Sequence, residues 1–111
     1  MSLENVFKPI MVNKTEFRNR VVRSAHGTGL GRGTINDDLI AYHEARARGG
    51  VAMSILEASS VHPSSGAGSV PAFSDEMIPE YAKLANAVHL SLIHISEPTR
   101  PRLISYAVFC L

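Results

Sequence analysis

Four glycines within seven residues mark the first segment of this chain whose residue types suggest chemistry. Residues 27–33 read Gly-Thr-Gly-Leu-Gly-Arg-Gly, and a glycine-rich loop ahead of a helix can hold the pyrophosphate of a dinucleotide. The spacing does not complete a Gly-x-Gly-x-x-Gly fingerprint, because the third glycine would fall at Arg32 or at Thr34. The next helix is predicted to open with Asp37 and Asp38, whose charges would repel a pyrophosphate. The segment is therefore interpreted as a loop without a dinucleotide.

Two later positions also bear on nucleotide binding. Glu57 ends the second predicted strand, where an acid that binds a ribose hydroxyl would stand in a dinucleotide fold. A fragment of a Rossmann-type NAD-binding enzyme therefore remains an alternative. Residues 62–68 are predicted to form a second polar, glycine-containing loop. Its residues 64–68 lack the lysine of a phosphate-binding loop and are predicted to be a plain surface loop.

The histidines are the side chains best suited to proton transfer near neutral pH. His26 follows the first predicted strand and invites a catalytic interpretation. His43 falls on the apolar face of a predicted helix and is expected to be a hydrogen-bonded core residue. His62 and His89 lack ligand spacing, so no metal site is predicted. The lone cysteine, Cys110, cannot form a disulfide within the chain.

A hairpin followed by a β-α-β-α order is predicted to position these residues. Residues 10–12 and 15–17 are expected to pair through a turn at Asn13. Residues 20–25 are β-branched at their centre and are predicted to form a buried strand. Residues 51–56 are mostly apolar, which indicates a second strand covered on both faces. The connection between the two strands predicts that they are parallel.

The helix between these strands has clear start and stop signals. Asn36 is the predicted N-cap, and Gly49 is the predicted C′ residue. Glu44 and Arg48 have the spacing of an ion pair on the outer face. The residues predicted to face the core are Leu39, Ile40, His43 and Ala47.

A second helix is predicted from Ile78 to about His89, with Pro79 in its first turn. Its predicted core-facing residues are Ile78, Tyr81, Leu84, Ala85 and Val88.

The length and the composition fit one folded domain. The chain has 111 residues, of which 45% are hydrophobic and 19% charged. A formal net charge of +1 gives no reason to expect nucleic acid or an anionic membrane as a partner. No apolar run approaches the roughly 20 residues of a membrane helix, and the N-terminus does not resemble a signal peptide. A cytoplasmic location is expected.

Three segments resemble the NADH:flavin oxidoreductase, or old yellow enzyme, family. They are residues 17–22 (Phe-Arg-Asn-Arg-Val-Val), residues 39–51 around the first helix and its turn, and residues 57–63 after the second strand. Together they cover about residues 3–89 in the family's order, in a version similar to 2,4-dienoyl-CoA reductase. The resemblance implies that residues 1–89 are the N-terminal part of a (β/α)8 TIM barrel.

The same resemblance implies a flavin site. FMN would lie at the carboxyl ends of the strands, take hydride from NAD(P)H and pass it to an activated alkene or another small-molecule acceptor. The family often has Thr or Cys at Gly27, so the tuning of the flavin potential is expected to differ here. The substrate-holding histidine pair of the family lies on a later strand, so no catalytic residue is assigned. The residues that map to flavin contacts are Ser24, Ala25, His26, Gly27 and Ala58. The family often has Met or Leu at the position of His26, so the resemblance favours a packing role for His26 over a catalytic one.

Residues 90–111 depart from the family. They resemble the conceptual translation of a sequencing adapter, which predicts that they are a non-native tail. The alternative is a genuine third strand at residues 92–95 and a fourth at residues 104–111. A small α/β protein without enzymatic activity is a further alternative for the whole chain. A barrel fragment with two of eight strands is expected to bind FMN poorly and to show no turnover by itself.

Overall fold

The computed structural model describes residues 2–65, residues 70–91 and the strand at residues 108–110. A short helix, α1 (Glu4–Phe7), precedes a hairpin of β1 (Ile10–Val12) and β2 (Thr15–Phe17). The two strands are antiparallel, with Ile10 opposite Phe17. Asn13 turns the chain at a φ of 54°, a conformation that asparagine tolerates better than most residues. The predicted hairpin is confirmed.

The two predicted strands pair in parallel, as expected, but both are shorter than predicted. They are β3 (Val22–Arg23) and β4 (Met53–Ile55), with Val22 opposite Met53. The prediction that the first strand is buried was wrong, because Val22 is 47% exposed. The second is covered on one face only, since Ser54 is buried while its neighbours are half-buried.

Side-chain alternation explains this one-sided burial. The register partners Arg23 and Ser54 both contact the helix that connects the strands. Val22 and Met53 therefore point to the opposite face of the pair. In a closed barrel that face is filled by side chains from the other strands; here Val22 is exposed and Met53 half-buried.

The connecting helix, α2 (Asp37–Arg48), has the predicted buried face of Leu39, Ile40, His43 and Ala47. The Asn36 side chain accepts a hydrogen bond from the Leu39 amide at 3.0 Å, which confirms the N-cap. The predicted C′ residue was wrong. Gly49 has a helical φ of −69°, and Gly50, with a φ of 103°, is the residue that turns the chain out of the helix.

Two side chains of the Phe-Arg-Asn-Arg segment tie the entrance of β3 to the end of α2. Arg18 donates through Nη2 to the carbonyl oxygens of Ala47 at 3.3 Å and Val51 at 3.0 Å. Asn19 donates through Nδ2 to the carbonyl oxygen of Gly50 at 2.7 Å. Both side chains thus fasten the segment ahead of β3 to the carbonyl groups of the last turn of α2 and of the two residues Gly50 and Val51 that follow it.

The second predicted helix is α3 (Ile78–Leu90), with Pro79 in its first turn. Four of its five predicted core residues, Tyr81, Leu84, Ala85 and Val88, are buried. Ile78 was predicted wrongly: it is 44% exposed, because it begins the helix one turn ahead of the first residue that packs on the core. The core lies where α3 packs against α2 and against Leu56 and Val70.

Two pairings were not anticipated. β5 (Ser59–Ser60) pairs in parallel with β6 (Val70–Pro71), around a loop whose residues 66–69 lie outside the described residues. β7 (Val108–Cys110) pairs antiparallel with β4, inside the segment where the alternative interpretation of the tail predicts a strand; the strand predicted at residues 92–95 lies outside the described residues. An open strand edge accepts an apolar segment whatever its origin, so the non-native tail stays a prediction.

Within the described part of the chain, no helix has the length and apolar character needed to cross a membrane.

Candidate functional site

The five predicted flavin contacts lie at one edge of the molecule. Residues 24–27 follow β3 directly, and Ala58 follows β4 after two residues. Because β3 and β4 are paired and parallel, their carboxyl ends meet at the same edge. All five residues are exposed, and a Cβ atom added at Gly27 would meet nothing within 4 Å. The edge is open, and three of its side chains are no larger than a methyl group.

Glu57 organises the glycine-rich loop beside this edge. Its side chain is buried, with the residue 6% exposed, and its Oε2 atom accepts a hydrogen bond from the amide of Thr28. Gly31 lies close to the same carboxylate, and a Cβ atom there would come within 2.5 Å of the Thr34 carbonyl oxygen. Glu57 therefore holds the loop from inside the fold, a role that the sequence reasoning missed.

His26 faces α2 and is held by three polar contacts. Its Nδ1 atom lies 3.3 Å from the Ser24 carbonyl oxygen. Its Nε2 atom lies 3.2 Å from the Tyr42 hydroxyl and 3.4 Å from Nη2 of Arg23. His26 thus makes a polar contact with a side chain of α2 while its ring stays exposed. Its packing role stays a prediction.

Tyr42 was not identified from the sequence, yet it is the centre of this cluster. The Arg46 guanidinium lies 3.4 Å from its ring centroid and the Arg23 guanidinium 5.0 Å, both within the range of cation–π attraction. The hydrogen bond from Arg23 lowers the pKa of the Tyr42 hydroxyl, against the smaller opposing effect of burial. Arg23 also donates through Nη1 to the carbonyl oxygen of Ile55 at 2.7 Å, which links the cluster to the end of β4.

His43 is buried beneath Tyr42 and is only half satisfied. Its Nδ1 atom lies 3.1 Å from the Ser54 hydroxyl, while its Nε2 atom has no hydrogen-bond partner among the residues that the structure describes. Burial, supported by the charge of Arg23, lowers the pKa of His43 to about 4. The ring is neutral at physiological pH. The predicted burial of His43 is confirmed. The prediction that the ring is fully hydrogen-bonded was wrong, because Nε2 has no partner among the described residues.

A shallow groove of about 740 Å³ lies apart from this edge, between the β5 end and the start of α3. Its apolar lining includes Val61, Phe73 and Ile78. None of the five predicted flavin contacts lines it. Within the described residues, no group of three or more histidine, cysteine or acidic side chains is arranged to hold a metal ion.

Comparison with known proteins identifies the family. Residues 5–95 match the sequence profile of the NADH:flavin oxidoreductase / NADH oxidase family. The chain belongs to this family. The match includes all three resembling segments and runs past His89. Because the family is that of the NADH:flavin oxidoreductases, the alternative of a Rossmann-type NAD-binding enzyme is wrong.

Two curated relatives have similar identity to this chain. The N,N-dimethylglycine/sarcosine dehydrogenase of Chromohalobacter salexigens is 34% identical over 95 residues, covering 80% of this chain and 14% of the relative. The 4,4'-dithiodibutanoate disulfide reductase of Rhodococcus erythropolis is 34% identical over 87 residues, covering 77% of this chain and 22% of the relative. The chain therefore spans less than a quarter of either relative's length.

Solved structures of the family share the fold. A 2-naphthoyl-CoA reductase in complex with 2-naphthoyl-CoA superposes with a TM-score of 0.73 at 24% identity, covering 81% of this chain and 14% of that one. The Old Yellow Enzyme of Pichia sp. AKU4542 gives a TM-score of 0.70 at 26% identity, covering 78% of this chain and 24% of that one. The predicted α/β fold, as part of a TIM barrel, is confirmed.

Proposed function

We propose that this chain contributes the first two strands and one wall of the flavin site to an FMN-dependent oxidoreductase. The observation that carries the proposal is the exposed edge where residues 24–27 and Ala58 meet at the carboxyl ends of two parallel strands. Active sites of TIM barrels lie at this end of the strands. When bound, the flavin supplies the hydride chemistry that connects NAD(P)H to an activated alkene or a similar small-molecule acceptor.

The residues of this edge fit a flat ring. Ala25, Gly27 and Ala58 are small and exposed, and the space in front of Gly27 is open. Small side chains allow the backbone to come close to a ligand. Glu57 holds the adjacent loop through the Thr28 amide. These residues therefore bind and orient the ring, while proton transfer to substrate is left to groups outside this segment.

The relatives suggest how substrate choice is divided. Two proteins of equal identity to this chain are named for an N-methylated amine and for a disulfide. We therefore assign the segment that they share with this chain to flavin binding, and substrate selection to the rest of the barrel. The phosphate-binding site of such barrels lies in the loops after strands seven and eight. We therefore expect the 111-residue chain alone to bind FMN weakly and to turn over no substrate.

A chimera tests the proposal. Residues 5–89 would replace the matching segment of the Rhodococcus reductase, and the flavin content of the purified protein would be measured together with its activity. We expect a yellow protein with one FMN per chain that still prefers the disulfide substrate of the parent. A folded chimera that stays colourless when offered FMN would overturn the flavin assignment, and a change of substrate class would overturn the division of labour.

Matched variants locate the site within the chimera. Gly27→Leu fills the open space at the carboxyl edge and is expected to abolish FMN retention. Ala41→Leu introduces the same side chain on the exposed face of α2 and is expected to leave the flavin in place. Equal retention in both variants would show that the ring does not rest against Gly27.

A further inference from the structure

The contacts of His26 select one tautomer of its ring. Arg23 reaches Nε2 of His26 through Nη2 at 3.4 Å, and a guanidinium can only donate. Nε2 must therefore carry the lone pair. The remaining proton then sits on Nδ1, which faces the Ser24 carbonyl oxygen at 3.3 Å, a group that can only accept. Contacts on opposite sides of the ring thus require the same Nδ1–H form.

Tyr42 strengthens this arrangement from the helix. Its hydroxyl lies 3.2 Å from the same Nε2 atom and can donate to it. The Tyr42 ring is held in turn by the guanidinium of Arg46, which is fastened by a hydrogen bond from Nη1 to the Tyr42 carbonyl oxygen at 3.0 Å. The His26 and Tyr42 rings meet edge to face, with an interplanar angle of 78°.

The network ends at the backbone of the proposed flavin edge. His26 connects α2 to Ser24, and Arg23 connects the same ring to the Ile55 carbonyl oxygen at the end of β4. Residues 24–27 are exposed and contain a glycine, so few packing contacts restrict them. A side-chain bridge anchored on a helix and on a neighbouring strand supplies that restriction.

We propose that Tyr42 and Arg23 act as positioning residues that lock His26 in its Nδ1–H tautomer and thereby fix the backbone of residues 24–27. His26 is then a positioning residue too, because its lone pair is engaged by Arg23 and Tyr42 and its proton by Ser24. The link from this backbone to the flavin rests on the proposed function, whereas the tautomer does not.

Nitrogen-15 NMR of the histidine rings in the full 111-residue chain tests the tautomer without any flavin. We expect His26 to carry its proton on Nδ1. His62 is an internal reference for the other tautomer. Its Nδ1 accepts the Ser64 amide hydrogen at 3.1 Å, so its proton must sit on Nε2. An Nε2–H ring at His26 in the wild-type chain, at a pH where the ring is neutral, would overturn the proposal.

Tyr42→Phe keeps the aromatic ring and removes the hydroxyl, which donates to Nε2 of His26 and accepts a hydrogen bond from Nη2 of Arg23 at 3.4 Å. We expect the Nε2–H population of His26 to rise several-fold and the amide exchange of residues 25–27 to accelerate. Arg48→Gln, on the same helix but paired with Glu44, is the matched control and should change neither. An unchanged His26 tautomer and unchanged exchange in Tyr42→Phe would refute the positioning role; the wild-type measurement stands even if a variant does not fold.

The flavin link is measured separately in the chimera. Tyr42→Phe should weaken FMN binding about fivefold, the effect of losing one hydrogen bond, and should shift the flavin absorption bands, while Arg48→Gln should do neither. Unchanged binding and spectrum in Tyr42→Phe would overturn the positioning of the flavin edge and leave the proposed function intact. A colourless chimera whose His26 tautomer responds to Tyr42→Phe would instead reject the proposed function alone.

Discussion

The two ends of the β3–α2–β4 unit are built in different ways. At the amino end of β3, Arg18 and Asn19 donate to carbonyl groups at the end of α2 and beyond it, and the chain turns at Gly50 in a conformation that suits glycine. At the carboxyl end, residues 24–27 are exposed and are held by the His26 contacts. The difference fits a first end built for stability and a second end that carries the proposed flavin contacts, the division expected for strands of a TIM barrel.

The largest expected effect concerns His43, which lies in the layer between the two ends. Its pKa is about 4 in the folded chain and 6.5 ordinarily, so the unfolded chain takes up a proton first as the pH falls. This contribution to stability is complete above pH 6.5 and is lost between pH 6.5 and 4. The full loss is roughly 3 kcal/mol.

Urea unfolding at pH 7 and at pH 4.5 measures this loss. His43→Gln keeps a polar side chain without titrating, so its stability should change less between the two pH values than that of the wild-type chain. Equal changes in both proteins would mean that the buried ring does not govern the acid sensitivity.

Arg18→Ala tests the amino end. It removes a charged donor from two carbonyl groups, and we expect the free energy of unfolding to fall by about 2 kcal/mol. Arg20→Ala is the control, because Arg20 is exposed and its hydrogen bond to the Val6 carbonyl oxygen comes from the backbone amide, which the substitution keeps. The change in the free energy of unfolding should stay within about 0.5 kcal/mol. Similar losses for both arginines would remove the distinction between a capping and a surface side chain.

Two neighbouring glycines, Gly49 and Gly50, test which residue ends α2 at the amino end of the strands. Gly50→Ala places a Cβ atom at a φ of 103° and should cost about 1 kcal/mol. Gly49→Ala keeps a helical φ of −69°, so its cost in chemical denaturation should be clearly smaller. The reverse order would show that Gly49 is the residue that ends α2 after all.

How much the sequence could predict follows from the range of the interactions. The buried face of α2 was predictable because Leu39, Ile40, His43 and Ala47 repeat at helical spacing, a local signal. The contact of Tyr42 with His26 joins residues 16 positions apart and depends on how α2 packs on β3, which no local pattern contains. The β5–β6 pairing was missed for a related reason, since Ser59 and Ser60 carry no strand preference.

The smallest expected effect on stability belongs to the carboxyl end. A Cβ atom at Gly27 meets nothing within 4 Å, so Gly27→Ala should change the free energy of unfolding by no more than about 0.5 kcal/mol. At Gly31, four residues later, the same change places a Cβ atom 2.5 Å from the Thr34 carbonyl oxygen, and the backbone must move. Chemical denaturation of both variants should therefore separate Gly27, which lies at the proposed flavin edge, from Gly31, which the fold requires. A large loss at Gly27 would instead mean that this edge, like the amino end, is shaped by stability.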